Sequence, residues 1–307
     1  MKQIHLFLKQ IIKIQLHPNF VDFVRKAKEL DFYVIILSNL TLLNDEMIEA
    51  MKYKNACSVQ VSLYSMIPEH HDAITTIPGS FEKTKAAILK LIKNDIPVQI
   101  SCPTMKINRD DYRDVMKWAH KHKVRAITDY SIMAEYNHDT SNLENRLEAE
   151  ECGKVINDIL EEDIDYQGMI LDDEFMSRID NYKLNPEAQI CGVGISACCM
   201  VANGNIYPCP GWQSYNCGNL YEYSLEEIWN NSSKMNYLRG LRNKDLKKCM
   251  NCKYISFCRP CMVRNSNESK NGNPLEINPY FCEVAKINRN LVLKWRENKL
   301  KNKNNKD

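Results

Sequence analysis

Cys191-Gly-Val-Gly-Ile-Ser-Ala-Cys198-Cys199 opens the stretch on which this 307-residue chain turns. Asn203-Gly204-Asn205-Ile206-Tyr207-Pro208-Cys209, then Cys217, then Cys249-x2-Cys252-x5-Cys258-x2-Cys261, and finally Cys282 continue it. Ten of the thirteen cysteines fall in this segment, under a third of the length. No secretory signal is expected: the first fifteen residues mix apolar side chains with Lys, Gln and His and make a poor signal peptide. Thiols at such density in a reducing compartment point to metal rather than disulfides. Paired Cys-x2-Cys units are shared by zinc ribbons and iron–sulfur sites. A tetrahedral zinc uses four ligands, whereas this region offers eight or more thiols with no interleaved His. Two four-cysteine sites fit that number, whether zinc or iron–sulfur.

Composition sets wider bounds. A hydrophobic fraction of 44% and a charged fraction of 26% are those of an ordinary globular chain. The net charge of +2 favours no nucleic acid or other charged partner. Only residues 299–307 form a basic tract, which reads as a solvated helix end. No run of eighteen apolar residues is present, so no membrane span is expected and the cytoplasm is the expected location.

Upstream of the cysteines, helical and strand patterns alternate. Helices are expected over 20–30, after Asn44 and Ser80 as caps, around Tyr112, Val115 and Ala119, and over 147–160. Short apolar strands are expected at 33–37, 57–63, 97–101 and 124–132. Strand then helix, repeated at roughly thirty-residue intervals, implies an α/β fold of parallel strands with right-handed crossovers. Periodicity alone leaves a barrel and an open doubly wound sheet both standing. Either places function at the strand C-termini: Ser38-Asn39, Ser62 to Ser65, Cys102 to Thr104, and Ser131 to Met133. The domain expectation is 1–162, a linker over 163–187, and 188–307. Met200 to Tyr207 reads as a hairpin turning at Asn203-Gly204, and Ser224 to Glu227 as a capping box. Cys57, Cys152 and Cys102 read as packed small hydrophobes, and Cys217 as a loop thiol. His70-His71-Asp72 reads as a polar loop.

The cysteine pattern Cys191-x12-Gly204-x4-Cys209, then Cys249-x2-Cys252-x5-Cys258-x2-Cys261, then Cys282, resembles the SPASM domain, the C-terminal extension of many radical S-adenosylmethionine (radical SAM) enzymes that mature peptides and proteins. One spacing departs, since the family usually has three residues where Arg259-Pro260 stand. The resemblance implies two auxiliary 4Fe–4S clusters. Cys191, Cys198, Cys209 and Cys261 would hold one; Cys249, Cys252, Cys258 and Cys282 would hold the other. Cys198 rather than Cys199 keeps the family's distance to Gly204.

Residues 16–160 resemble the radical SAM barrel, through Leu16-His17-Pro18-Asn19-Phe20, Ser38-Asn39-Leu40, Val61-Ser62-Leu63-Tyr64-Ser65 and Pro78-Gly79-Ser80-Phe81. The implied fold is a partial (β/α) radical SAM-type barrel followed by a small, irregular cysteine-rich SPASM domain. Asn39 and Ser62 would be the residues nearest SAM. The family's Cys-x3-Cys-x2-Cys and Gly-Gly-Glu-Pro motifs are absent from the 307 residues. The expectation is therefore a radical SAM/SPASM protein with a truncated or frame-shifted start and no SAM-cleaving cluster of its own. A peptide or protein substrate and an electron donor such as ferredoxin or flavodoxin are the implied partners. Two other readings stand beside it: a non-catalytic iron–sulfur electron-transfer or peptide-binding protein, and a zinc-stabilised interaction module.

Overall fold

The computed structural model describes residues 5–9, 17–54 and 57–304. Leu16 and residues 305–307, which entered the sequence reading, lie outside them. The chain divides into two compact units, Met1–Tyr130 and Ser131–Asp307.

The first unit runs β1 (His5–Lys9), α1 (Phe20–Glu29), β2 (Tyr33–Ser38), α2 (Asp45–Lys52), β3 (Cys57–Ser62), α3 (Pro68–Thr75), α4 (Ser80–Lys93), β4 (Val98–Ser101), α5 (Tyr112–Lys121) and β5 (Arg125–Ile127). Its five strands are all parallel, in the order β1-β2-β3-β4-β5. A doubly wound sheet reverses its strand order at a switch point. Sequential order with every crossover turning the same way instead stacks the helices on one face, as in a barrel wall. Side-chain burial follows. Val34, Ile36, Val59, Val61 and Ile100 are fully buried, while Ile35, Leu37, Gln60, Ser62, Gln99 and Ser101 on the opposite face are half-buried. Each fully buried aliphatic side chain contributes about 1.5–3 kcal/mol.

Local signals explain the helices. Asn44 caps α2 by accepting the Met47 N–H at 2.9 Å. The other end of α2 is closed by a buried cation: Lys28 Nζ donates to the carbonyls of Met51 and, at 2.9 Å, Tyr53. Ser80 proves to be the first residue of α4 rather than its cap. Asp72, from α3, takes the capping role, accepting the N–H groups of Gly79 and Phe81 at 2.5 and 2.8 Å. The strand expected over 124–132 covers only Arg125–Ile127, because Asp129 and Ser131 break the apolar pattern.

The second unit contains α6 (Ala149–Glu162), α7 (Ile164–Leu171), α8 (Asp173–Asp180), β6 (Cys199–Met200), β7 (Asn205–Tyr207), β8 (Gly218–Asn219), α9 (Leu225–Asn231), α10 (Ser233–Gly240), α11 (Met262–Glu268) and α12 (Pro279–Asn304). Helices α6 and α12 pack side by side, and the three short strands form an antiparallel sheet. Ser224 and Glu227 form the expected capping box at the start of α9. The hairpin also forms, with Met200 opposite Ile206. Its turn has three residues rather than two: Val201 N–H bonds to Asn205 O, and Gly204 takes φ +81°. A left-handed third residue is what that loop length requires.

Candidate iron–sulfur sites and the open face of the sheet

All thirteen cysteines lie among the described residues and none is in a disulfide. The segment from Leu246 to Cys258 is a run of tight turns. The N–H of Cys249 bonds to Leu246 O, that of Cys252 to Cys249 O, and that of Cys258 to Ile255 O. Such turns bring Cys249, Cys252 and Cys258 back on one another. Cys282, in the first turn of α12, completes the group. Burial pushes the Cys249 thiol up to about 11, and the negative charges of Cys258, Cys282 and Cys252 add to it. Cys258 and Cys282 are raised likewise, by burial first; other thiols of the four add to both, and Cys261 adds to Cys258. A cleft is lined by Cys249, Cys258, Cys261 and Cys282, with Arg264 and Phe281.

The other four thiols are arranged less evenly. Cys191, Cys209 and Cys261 pack around one apolar cluster built on Trp212, Met262 and Val263. Cys191 is raised by burial and by the charge of Cys261. Trp212 is fully buried and its indole N–H donates to Ser266 Oγ at 3.0 Å, while Asn267 Nδ2 donates to Gly211 O at 3.0 Å. These bonds fasten the Cys209 loop to α11, directly after Cys261. Cys198 is exposed and shares charge with Cys217, a buried thiol raised to about 11 by desolvation.

Among the described residues no three His, Cys, Asp or Glu side chains close tightly enough to hold a single metal ion. A cubane cluster asks for something else: four thiolates spread around a cage. Four mutually interacting cysteines, three of them on one cleft and with no carboxylate or imidazole in the set, suit that demand by donor chemistry. The same all-thiol donor set also holds structural zinc.

In the first unit, Asn39 and Ser62 both stand at strand C-termini. The Asn39 amide oxygen accepts the N–H and hydroxyl of Thr41, at 3.3 and 3.2 Å, and its carbonyl accepts the Thr84 hydroxyl at 2.9 Å. Ser62 pairs in register with Ser101, on the half-buried face. The His70-His71-Asp72 segment is helical, not a loop. His71 is fully buried and its Nδ1 accepts the Tyr64 N–H at 3.2 Å. Cys57, Cys102 and Cys152 are buried as expected. Three cations escaped the sequence reading: Arg146, Arg239 and Arg264. Their only sequence signal is position, since Arg264 lies one helical turn past Cys261.

The family model of the Radical SAM superfamily matches residues 14–119, and that of the SPASM iron–sulfur cluster-binding domain matches residues 191–262. The AdoMet-dependent heme synthase of Methanosarcina barkeri is 24% identical over 283 residues, covering 86% of this chain and 78% of that protein. The subtilosin biosynthesis protein AlbA of Bacillus subtilis is 24% identical over 84% of this chain and 56% of its own length. A cysteine-type anaerobic sulfatase-maturating enzyme of Clostridium novyi is 24% identical over 90% and 76%. Among solved structures, a histidine-tagged anSMEcpe with bound AdoMet superposes with a TM-score of 0.66 at 16% identity, covering 98% of this chain and 82% of that one. Streptococcus suis SuiB bound to its precursor peptide SuiA gives 0.64 at 13%, over 91% and 65%. No described helix is long and apolar enough to cross a membrane. A one-way parallel sheet followed by a folded cysteine-rich unit, with both family models in matching order, places this chain in the radical SAM/SPASM family.

Proposed function

We propose that this chain is a radical SAM/SPASM protein of the peptide- or protein-modifying type that carries two auxiliary 4Fe–4S clusters. The observation that carries the reading is the grouping of Cys249, Cys252, Cys258 and Cys282: three of them line one cleft, and the charge of Cys252 acts on all three. In this reading they hold one cluster, and Cys191, Cys198, Cys209 and Cys261 the other. The domain over 188–307 is the cluster-binding unit, 1–162 the barrel, and 163–187 the segment joining them. When bound, such clusters supply one-electron chemistry. The chain's own residues position the sulfurs and keep water from the cleft. Phe281, which is buried, and the apolar cluster on Trp212 do the latter. Ser62, at the end of β3, is assigned to the SAM side of the barrel, with Asn39 shaping the adjacent turn. The 307 residues do not themselves supply the Cys-x3-Cys-x2-Cys set that would hold a SAM-cleaving cluster. A peptide substrate is favoured because AlbA, the sulfatase-maturating enzyme and the peptide-bound SuiB stand among the relatives and structural neighbours. A cytoplasmic location with a ferredoxin- or flavodoxin-like donor follows from the reduced thiols such clusters need.

The test is iron, zinc and acid-labile sulfide per chain after anaerobic reconstitution. About eight iron and about eight sulfide are expected from two cubane clusters. About two zinc with negligible sulfide overturns the reading in favour of a zinc-stabilised module.

A second reading rests on the heme synthase relatives. It is separated by adding an iron porphyrin to the reconstituted chain: a saturable Soret shift at one equivalent favours a tetrapyrrole substrate over a peptide.

A further inference from the structure

Arg264 lines the cleft shared by Cys249, Cys258 and Cys282, beside Arg259, and no ion pair among the described residues claims its charge. It projects from the first turn of α11 into the cleft that Cys249, Cys258 and Cys282 line. Two contacts fix it. Its guanidinium lies 4.4 Å from the centroid of the Phe281 ring, and Nη2 donates to Arg259 O at 2.6 Å. Neither contact neutralises it, and among the described residues no carboxylate pairs with it. Arg146, by contrast, spends its charge on Glu268.

We propose that Arg264 is a positioning residue for electron transfer, which makes the cluster held by these four cysteines easier to reduce. The inference rests on the iron–sulfur reading above. Taking up one electron adds one negative charge to a cluster whose four thiolates already make it anionic. A fixed cation held half-buried, where water screens it poorly, stabilises the reduced form more than the oxidised one. No proton or bond change accompanies the step, and the electron comes from an external reductant such as dithionite. Lysine at this position would keep the charge and lose both the flat stacking on Phe281 and the forked donor to Arg259 O.

The experiment is a redox titration of the reconstituted full chain, with the reduced cluster followed by electron paramagnetic resonance. The relevant signal is the one that Cys258→Ser abolishes. Arg264→Gln is expected to retain iron and sulfide and to lower the ratio of reduced to oxidised cluster about tenfold at a fixed applied potential, about 59 mV for one electron. Arg264→Lys is expected to stay within about threefold of the parent chain. An unchanged potential in a fully loaded Arg264→Gln chain overturns the inference and leaves the cluster assignment intact. If the parent chain takes up no iron and sulfide, the underlying reading fails instead. Should Arg264→Gln lose its iron, Arg264→Lys decides. A loaded lysine chain near the parent potential supports a charge role, and one as low as tenfold below, or one that also fails to load, overturns it in favour of a structural clasp.

Discussion

Arg146 Nη1 meets both carboxylate oxygens of Glu268, at 2.9 and 2.8 Å, with only 15% and 7% of the two side chains exposed. The pair joins the segment before α6 to the end of α11. Glu268 also accepts the Ala134 N–H at 3.2 Å and Asn278 Nδ2 at 2.6 Å, and the guanidinium lies 4.0 Å from the Tyr280 ring centroid. Asn278 and Tyr280 lead straight into Phe281-Cys282. The ion pair therefore sets where α12 starts and where its cysteine stands.

Arg146→Met leaves the Glu268 carboxylate buried without its cation. Removing one partner of such a pair costs about 3 kcal/mol, and the loss is to be read by urea denaturation of the anaerobic chain. Glu268→Gln in the same chain is expected to restore part of it, since the double variant buries no lone charge. A loss under about 1 kcal/mol for the single variant would show the pair to be solvated in solution.

Gly204 stands at φ +81°, and a Cβ there would come within 2.9 Å of the Tyr221 ring and 3.0 Å of Asn219 Oδ1. Gly204→Ala is expected to cost about 1–2 kcal/mol from the left-handed backbone alone, with the clash adding to it. Because the hairpin leads directly to Cys209, the same variant should lower iron uptake before it unfolds the chain. Gly240→Ala, where the added methyl meets nothing within 4 Å, is the control and should be neutral.

The barrel half was legible because each strand is a short apolar run and each helix but α3 carries a clear stripe. The predicted and observed limits of β2, β3 and α1 differ by at most one residue. Helix α3 was not legible. His70-His71-Asp72 has no apolar stripe, and its helicity depends on Pro68 at the first turn and on His71 burying itself against Tyr64 and Phe81. Thiol spacing marked the cysteine-rich segment in the sequence, while the division into two sets of four came from the family resemblance. The cations around them were invisible. Arg146 and Glu268 are 122 residues apart, and no local pattern records such a meeting.

Asp72 offers a pH test of the α3–α4 joint. The Phe81 N–H, then the Gly79 N–H and the Ser80 hydroxyl, hold its carboxyl below the usual range. The unfolded chain therefore takes up the proton more readily than the folded one. The stabilisation is complete above the unfolded carboxyl value, about 3.9, and is lost as pH falls through the lower folded value. The Tm of the parent chain should exceed that of Asp72→Asn at pH about 6, and the gap should close in acid. A gap that stays constant down to pH about 3 would assign the effect to shape rather than charge.

The membership of the first thiol set can be decided by single serine variants. Cys199 lies in β6 opposite Tyr207, where strand pairing fixes its direction, and Cys198 precedes it on the other side of the pleat. Cys217 is buried, donates weakly to Tyr215 O at 3.5 Å, and shares charge with Cys198. Two thiols therefore compete for one place beside Cys191, Cys209 and Cys261. Cys198 has the family spacing and an exposed, adjustable loop; Cys217 sits where its β8 neighbour Gly218 leaves little freedom, against Ile228. Cys198→Ser should lower iron from about eight to about four per chain, one cubane lost, whereas Cys199→Ser and Cys217→Ser should leave it unchanged. Loss with Cys217→Ser and retention with Cys198→Ser would move the fourth ligand to the buried thiol, and the loop from Cys191 to Cys198 would then serve only to cover it.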